Sequence, residues 1–292
     1  MFEDLEVFLE MLKEIRAQKI ECGTPPYVEY ILRKPPSVPC AFDFDSIPAA
    51  TLALLRPYQR EALAVCVGPH NARSILGAVA GAGKTLMAIL WVIFGAAGGL
   101  FIVPSAKARD WIKEYAKYTG RKDITHVKTF KDEIVGNTVV CSHAVAVKNP
   151  YILARAWNSV VVDECHVLKS ETSEMAKVIV PRILHRARRI LLLSGTPIKN
   201  TPAEVFNLLN AVDRRTFGDR QVFTARYCEG EINRFSGKWE ARGAKNLDEL
   251  NLVLSKCMFR VTEDELGLEP IIRTEVSLEC LPDDLEVLDE LE

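Results

Sequence analysis

The sequence lacks the features that mark metal-binding frameworks, secreted proteins and strongly basic proteins. None of its eight cysteines forms a CxxC pair, which argues against a zinc or redox framework. The formal net charge is -2, so any nucleic-acid contact must come from local patches rather than from a basic field over the whole chain. Acidic residues near the amino terminus argue against a secretory signal peptide. We therefore expect an intracellular protein, of the cytoplasm or the nucleus, whose cysteines are buried and reduced.

One apolar run approaches the length of a membrane span. Residues 86–103 carry no charged side chain, and length alone would suggest a transmembrane helix. The segment GAAGG at residues 95–99 interrupts the run. Its first part is therefore interpreted as a helix and LFIV, residues 100–103, as a strand, so that the sequence predicts no membrane partner.

Short runs of Val, Ile and Leu alternate with helical patterns along most of the chain. Continuously apolar strands that alternate with helices form parallel sheets covered on both faces. The predicted fold class is therefore α/β, with a mostly parallel central sheet and helices on both faces. The predicted strands are SILGAV (74–79), GLFIVP (99–104), DITHV (123–127), NTVVCS (137–142), SVVVDE (159–164) and RILLLS (189–194).

Composition divides the chain into three segments. Residues 1–48 begin with an amphipathic helical pattern and continue as a proline-rich, extended lead-in. Residues 49–282 contain the alternating strand and helix patterns and are interpreted as one domain. Residues 283–292 are acidic, with leucines spaced as in a helix.

The stretch GAVAGAGKT, residues 77–85, predicts a phosphate-binding loop. Gly83, Lys84 and Thr85 match the end of the pattern GxxxxGK[ST], although Ala78 stands where the first glycine is expected. A predicted strand precedes the loop and a helical pattern follows it, which is the arrangement that phosphate binding requires. Backbone N–H groups would surround the phosphate oxygens, Lys84 would reach the β- and γ-phosphates, and Thr85 would coordinate Mg²⁺.

Two adjacent acids end the predicted strand in SVVVDECH, residues 159–166. Carboxylates at the end of a buried strand are unfavourable unless they serve a cation. Asp163 would hold Mg²⁺ beside Thr85, and Glu164 would polarise the attacking water, so the pair indicates hydrolysis rather than binding alone. A solvated acidic turn is the alternative, which the preceding phosphate loop disfavours.

The next strand leads into LLLSGTPIKN, residues 191–200. Ser194 and Thr196 lie at a sharp strand exit, where their hydroxyl groups could sense the γ-phosphate. His166 follows the two acids at a fixed offset, and the three residues together are interpreted as coupling residues. Taken alone, each would be an ordinary polar residue or a plain turn.

The order of these motifs resembles that of the superfamily-two helicases and translocases. In that superfamily the first loop residue is commonly alanine, so Ala78 fits. LRPYQREAL (55–63) resembles the segment in which Gln59 would contact adenine, and FIVPSAKARDWIKEY (101–115) resembles the next motif, with Trp111 in its helix. The segments DECHVLKS (163–170) and SGTPIKNTPAEVFNLLNAV (194–212) resemble the Swi/Snf-type DNA translocases. KWEARGAKNLDELNLVLSKCMFRVTEDEL (238–266) is similar to the annealing-helicase branch of that family.

The resemblance implies a RecA-like P-loop lobe that binds ATP and Mg²⁺, with Gln59 in contact with adenine. Two departures accompany it. The loop AVAGAG, residues 78–83, lacks the Asp and Met that usually precede the final glycines, and Val261 follows Arg260 where a second arginine is common. The nucleotide-binding residues so implied are Arg56, Gln59, Gly81, Ala82, Gly83, Lys84 and Thr85, with Lys84, Asp163 and Glu164 as catalytic residues and Thr85 and Asp163 as Mg²⁺ ligands.

The resemblance also implies contact with the phosphates of duplex DNA, without sequence specificity. The basic segment PRILHRARRI, residues 181–190, is interpreted as a solvated helix face, with a nucleic-acid patch as the alternative. The candidate DNA contacts are Ser105, Lys107, Ser142, His143, Lys199 and Asn200.

Motors of this family have two RecA-like lobes, and the second lobe supplies arginine fingers to the γ-phosphate. Residues 49–282 resemble the first lobe, and residues 283–292 are interpreted as the start of a linker toward an absent second lobe. Because an arginine finger contributes ~10³–10⁵ in rate, we expect this chain alone to hydrolyse ATP weakly or not at all. A non-catalytic module that acts on a partner motor is the alternative. A small-molecule kinase or transporter-type ATPase would leave Gln59 and residues 194–197 unexplained.

Overall fold

Strands and helices alternate through the residues that the computed structural model describes, which are 42–67, 73–96, 98–170, 172–195, 201–232, 239–241 and 243–266. The strands are β1 (Arg73–Ala78), β2 (Leu100–Val103), β3 (Ile124–Val127), β4 (Thr138–Ser142), β5 (Ser159–Val162), β6 (Arg189–Ser194), β7 (Glu231–Ile232), β8 (Trp239–Glu240) and β9 (Met258–Val261). The α-helices are α1 (Ala49–Leu52), α2 (Pro57–Val67), α3 (Lys84–Ala96), α4 (Ala108–Thr119), α5 (His143–Lys148), α6 (Pro150–Ala154), α7 (Glu174–Val178), α8 (Phe206–Val212), α9 (Arg220–Tyr227), α10 (Leu247–Ser255) and α11 (Glu263–Leu266). The predicted helix in residues 1–20, most of the proline-rich lead-in and the acidic segment 283–292 lie outside these residues.

The central sheet has seven strands in the order β3-β4-β2-β5-β6-β1-β9, and every neighbouring pair is parallel. All six strands predicted from apolar runs are present, which confirms the predicted architecture. Strand β9 and the small antiparallel pair β7-β8 were not predicted. The reason for β9 is its position at the edge of the sheet, where Phe259 and Arg260 are partly or fully exposed and leave no continuous apolar run.

Alternate residues of each strand feed two separate cores, one on each face of the sheet. On one face Leu76 and Phe101 pack with helices α2, α3 and α4. On the other face Ile75 and Ile102 pack with helices α5 to α8 and α10. Because both faces are covered, the strands are apolar at nearly every position, which is why they are visible in the sequence.

The apolar run of residues 86–103 divides as predicted between helix α3 and strand β2. Among the described residues, no helix has the length and apolar character that crossing a membrane requires. The described cysteines are Cys66, Cys141, Cys165, Cys228 and Cys257, and all are buried free thiols, which confirms that prediction for them.

Arg73, the first residue of β1, ties together two helical segments at the amino edge of the sheet. Its guanidinium donates to the carbonyl oxygens of Leu184 and Ala187 at 3.1 and 2.6 Å. It also donates to those of Ala211 and Val212 at 2.6 and 2.9 Å. Helix carboxyl ends carry unpaired carbonyl groups and partial negative charge, so a guanidinium stabilises them well.

The basic segment of residues 181–190 is not the single solvated helix that the sequence predicted. It divides between the end of a helical stretch and the first residues of β6. Arg186 donates to the carbonyl oxygens of Leu153 and Ala154, the last residues of α6, at 2.6 and 3.1 Å. Arg189 is buried at the start of β6, where its guanidinium lies 4.3 Å from the ring centroid of Trp91. These two arginines therefore have structural partners, as Arg73 does.

Candidate functional site

The carboxyl edge of the sheet brings the predicted motifs together. The glycine-rich loop follows β1, and Asp163 and Glu164 follow β5. Strand β6 lies between β5 and β1, so its last residue, Ser194, ends between the loop and the two acids. Ser194 is fully buried and pairs in register with Gly77. Thr196, Lys199 and Asn200 lie outside the described residues.

The loop after β1 contains two glycines in the left-handed region. Gly81 has φ +81° and Gly83 has φ +77°, conformations that residues with a Cβ avoid. A Cβ on Gly83 would lie 2.4 Å from Nε2 of Gln59, whereas a Cβ on Gly81 would meet nothing within 4 Å. A side chain at position 83 would therefore require the amide group of Gln59 to move, in addition to straining the backbone.

Lys84 begins helix α3 and extends its side chain back into the loop. Its ammonium group donates to the carbonyl oxygens of Ala78 and Val79 at 2.6 and 3.1 Å. The small side chain of Ala78 is fully buried on the sheet, next to the strand carrying Ser194. Lys84 is thus the first residue of helix α3, and its side chain is enclosed by the loop.

Gln59 on helix α2 is bound directly to the loop. Its Nε2 donates to the carbonyl oxygen of Ala82 at 2.9 Å, and its Oε1 accepts the backbone N–H of Arg56 at 3.0 Å. The hydroxyl of Tyr58 also donates to Ala82 O, at 3.2 Å. Arg56 is exposed and donates to the carbonyl oxygen of Leu266 at 3.4 Å. The sequence did not single out Tyr58, and its only signal was its place beside Gln59.

Asp163 is an acid in a poorly solvated position, 9% exposed. Burial raises the pKa of its carboxyl group, and the neighbouring charge of Glu164 raises it further, while Lys84 and a hydrogen bond with Trp111 act in the opposite direction. Its Oδ1 accepts the backbone N–H of Glu164 at 3.0 Å. A divalent cation beside such a carboxylate would favour its charged form.

Glu164 has a left-handed backbone, with φ 50° and ψ 49°. A non-glycine residue in this conformation is strained, and such strain concentrates at functional sites. Its Oε2 lies 3.0 Å from Nδ1 of His166, and both side chains are about half exposed. His166 therefore contacts the carboxylate predicted to polarise water.

His143 does not lie where a contact with DNA phosphate requires. Its side chain is 7% exposed, and its Nε2 lies 2.8 Å from the carbonyl oxygen of Asp163. Burial is the main cause of its lowered pKa. The ring is thus turned inward against the backbone of the acidic pair, and little of it is exposed to a phosphate.

The other described candidates for DNA contact lie at the same edge. Ser105 and Lys107 form an exposed turn after β2. Ser142 ends β4 and caps helix α5, since its hydroxyl accepts the backbone N–H of Val145 at 3.3 Å.

A cavity of about 700 Å³ opens at this edge, beside the loop. It contains most of the residues predicted to bind nucleotide, and Lys107 lines it as well. Helix α4 forms a further part of the cavity wall with Trp111, Lys117 and Tyr118. Of these three residues, the sequence motifs singled out only Trp111. Its predicted members are Arg56, Gln59, Gly81, Gly83, Lys84, Thr85, Asp163 and Glu164.

Comparison with known families and proteins gives consistent matches. The family model described as the SNF2-related domain matches residues 58–284. The chain is similar to the DNA annealing helicase and endonuclease ZRANB3 of Mus musculus, with 29% identity over 255 residues that cover 82% of this chain and 24% of that protein. It is also similar to the SWI/SNF-related matrix-associated actin-dependent regulator of chromatin subfamily A-like protein 1 of Drosophila melanogaster, with 28% identity over 252 residues that cover 84% and 33%. The chain thus spans about a quarter to a third of the length of these relatives.

Solved structures share the fold at low sequence identity. The Sulfolobus solfataricus SWI2/SNF2 ATPase core in complex with dsDNA matches with a TM-score of 0.60 and 18% identity, over 73% of this chain and 46% of that chain. The same ATPase core domain in another structure matches with a TM-score of 0.60 over 79% and 48%. These matches confirm the predicted RecA-like fold.

Proposed function

Given that the chain belongs to the SNF2-related family, we propose that it forms the first, ATP-binding lobe of a DNA-dependent ATPase of the Swi/Snf type. One observation carries the proposal: Lys84, Gln59 and the adjacent pair Asp163 and Glu164, from three separate places in the sequence, line one cavity. We propose residues 49–282 as the bounds of this lobe, close to the 58–284 that the family model matches.

The loop and its neighbours fit a nucleoside triphosphate. Glycine backbone groups and the amino end of α3 suit phosphate oxygens, and Lys84 would bind the β- and γ-phosphates. Gln59 would contact adenine. Its amide is held beside the loop, because its oxygen accepts the backbone N–H of Arg56 and its nitrogen donates to the carbonyl oxygen of Ala82. Arg56 would lie at the same end of the cavity.

The residues beside the phosphates fit Mg²⁺, a cation that prefers oxygen ligands. Thr85 offers a hydroxyl group, and Asp163 offers a carboxylate. The pKa of that carboxyl group is raised because it is buried and lies beside the negative charge of Glu164. A bound Mg²⁺ would neutralise charge on the phosphates. Glu164 would orient the attacking water, with its carboxylate held by His166. Ser194 lies between the phosphate loop and the acidic pair. The hydroxyl groups of Ser194 and Thr196 would sense whether the γ-phosphate is present.

Duplex DNA is the proposed activating partner. Ser105, Lys107 and Ser142 would contact phosphates of one strand, together with Lys199 and Asn200, and such contacts carry no sequence information. Support comes from a similar ATPase core that was solved with dsDNA and from a similar protein named a DNA annealing helicase.

A second RecA-like lobe would complete the site. Among the described residues that line the cavity, Arg56 is the one arginine, and its guanidinium donates to the carbonyl oxygen of Leu266. An arginine finger would therefore come from elsewhere, in the same polypeptide or in a partner. Without it, we expect turnover to be low.

Titration with a fluorescent ATP analogue in the presence of Mg²⁺ tests this proposal. Replacing Lys84 by alanine removes the charged donor to the phosphates, and charge-assisted hydrogen bonds contribute about 1.5–3 kcal/mol, so we expect affinity to fall at least about tenfold. Lys122→Ala is the matched control, since Lys122 is exposed before β3, at the opposite edge of the sheet. Equal affinity of wild type and Lys84→Ala would refute the nucleotide site.

Steady-state ATP hydrolysis, with and without duplex DNA, tests the need for a second lobe. We expect slow turnover from this chain in both conditions. Rapid DNA-stimulated turnover that Lys84→Ala abolishes would show that the chain completes its own site. Tight nucleotide binding with no turnover, even when a second lobe is supplied, would favour the non-catalytic module.

A further inference from the structure

A tight turn follows strand β3, and hydrogen bonds fix its shape. The carboxylate of Asp132 accepts the backbone N–H groups of Lys128 and Thr129 at 2.8 and 3.0 Å. It also accepts the hydroxyl of Thr129 at 2.6 Å. The carboxylate is thus occupied within the turn, and we name residues 128–132 the β3 turn.

Asn149 anchors this turn to the body of the lobe. It is fully buried, and its Nδ2 donates to the carbonyl oxygens of Thr129 and Asp132 at 3.2 and 2.9 Å. Its Oδ1 accepts the backbone N–H of Ile152 at 3.0 Å, which fixes the amide orientation. The β3 turn is therefore held from both sides.

The β3 turn presents an aromatic ring to solvent. Phe130 is 52% exposed, and the ammonium group of Lys131 lies 5.9 Å from its ring centroid. A single exposed apolar side chain needs no partner. Phe130 differs because it stands on a rigid polar turn, between the exposed side chains of Lys128 and Lys131.

Strand register places the β3 turn at the proposed DNA face. Val127, the last residue of β3, pairs with Cys141, so that Lys128 comes level with Ser142. Ser142 pairs in turn with Val103, two residues before Ser105. Adjacent strands lie about 4.8 Å apart, so these three strand ends lie within about 10 Å of one another.

The charge around the ring suits a polyanion. Arg109, Lys128 and Lys131 are exposed, and after burial the positive charges of Lys128 and Arg109 also lower the pKa of His126, so both lie near its ring. Two acids lie in the same segment: Asp132 is bonded within the turn, and Glu133 accepts the hydroxyl of Tyr151 at 3.1 Å. The three cations therefore exceed the two carboxylates by one charge. Basic side chains interleaved with an exposed aromatic ring are typical of surfaces that bind unpaired nucleic acid.

We propose that Phe130 is a stacking platform for an unpaired nucleobase of the DNA strand that crosses this edge. Lys128 and Lys131 would bind the flanking phosphates. The preferred substrate would then be duplex DNA next to an unpaired segment, as at a fork or a gap, rather than continuous duplex. This inference rests on the proposed DNA binding and adds a substrate class to it.

Binding of two labelled DNAs by the 292-residue chain tests the inference, one a forked duplex and one fully paired. Base stacking on an aromatic ring corresponds to roughly a 5- to 150-fold change in affinity. We expect Phe130→Leu, which keeps an apolar side chain but removes the aromatic face, to weaken fork binding by that factor. Binding of the paired duplex should change less than about twofold. Phe130→Trp should retain fork binding.

A 2-aminopurine base at the unpaired position beside the junction gives a direct readout. Stacking on Phe130 should quench its fluorescence in the wild-type complex, and the quenching should disappear in Phe130→Leu. Val135→Ala is the matched control, since Val135 is 71% exposed in the same β3-β4 connection but outside the β3 turn.

The outcomes separate this inference from the proposed function. Unchanged fork affinity and quenching in Phe130→Leu would overturn the stacking platform while leaving DNA binding intact. Equal losses on both DNAs would also overturn it. A wild-type chain that binds neither DNA would contradict the proposed DNA-dependent function itself.

Discussion

Nε2 of His143 lies 2.8 Å from the backbone carbonyl oxygen of Asp163, which joins the start of helix α5 to the acidic pair. Strand β2 separates the two strands that carry these residues, so the ring bridges over its end. The next residue after that carbonyl is Glu164, whose backbone is left-handed. His143 thus holds the peptide that sets the direction of both carboxylates.

We expect His143→Leu to weaken the Mg²⁺-dependent part of nucleotide binding. Loss of the donor leaves the carbonyl group of Asp163 buried without this partner, which costs about 1–3 kcal/mol of folding stability. Measuring nucleotide affinity with and without Mg²⁺, beside urea unfolding, distinguishes the two effects. His143→Gln, which keeps an N–H donor, should recover part of both. A loss of stability alone would show that His143 has no influence on the cation site.

Alanine at Gly83 should be more harmful than alanine at Gly81. Both substitutions force a left-handed residue to carry a Cβ, at about 1–2 kcal/mol. Only at Gly83 would the new Cβ displace the amide of Gln59, which lies 2.4 Å away. We expect similar stability losses in the two variants and a larger loss of nucleotide affinity in Gly83→Ala. Equal nucleotide affinities in the two variants would mean that the position of the Gln59 amide does not affect nucleotide binding.

Glu249→Ala should destabilise the fold more than the loss of an exposed ion pair does. Glu249 is 8% exposed, and it accepts Nε of Arg226 at 2.6 Å and the hydroxyl of Tyr227 at 2.5 Å. Removing it leaves a cation and a buried hydroxyl without this acceptor, which we expect to lower the free energy of unfolding by about 3 kcal/mol. Asp110→Ala is the control, because its exposed pair with Lys113 contributes about 0–1 kcal/mol. Urea unfolding of both variants measures the difference.

Stability should fall in mild acid because of three histidines. Burial lowers the pKa of His126, His143 and His185 in the folded protein. The unfolded chain therefore binds protons first, so this contribution is complete above the unfolded pKa of about 6.5 and is lost as the pH falls through the lowered values.

We expect the urea midpoint to fall between about pH 7.5 and about pH 5.5. Replacing His185 by Gln keeps a donor toward Asn210, which His185 contacts at 3.1 Å, but removes one titrating group. The variant should lose less stability over this range than the wild type. An identical pH dependence in both proteins would contradict the assignment to His185.

The sequence predicts the centre of this fold well because the centre is apolar on both faces. Six strands appear as uninterrupted runs of branched residues, and the motifs that follow them must meet at one edge once the strands are parallel. The sequence therefore places Lys84 and Asp163 in one site without knowledge of any distance, whereas Gln59 is assigned to that site only by the family resemblance. The same argument fails for β9, which lies at the edge of the sheet and carries polar residues.

The orientation of side chains is set by tertiary contacts that no local pattern contains. His143 was predicted on the surface because it follows a strand at the DNA-facing edge, but packing turns its ring inward. The basic segment of residues 181–190 was predicted to be a solvated helix face, although Arg186 binds the end of another helix. In each case the deciding partner is distant in sequence.

The position of β9 determines when the nucleotide loop can form during synthesis. β1 leads directly into the loop, yet its two neighbours in the sheet are β6 and β9, which are made much later. Until they arrive, the strand has unpaired N–H and C=O groups on both sides, and such edges attract other chains. Contacts between distant segments also form slowly. We therefore expect the most recognisable motif of the sequence to be among the last to acquire its structure, after Met258 has been synthesised.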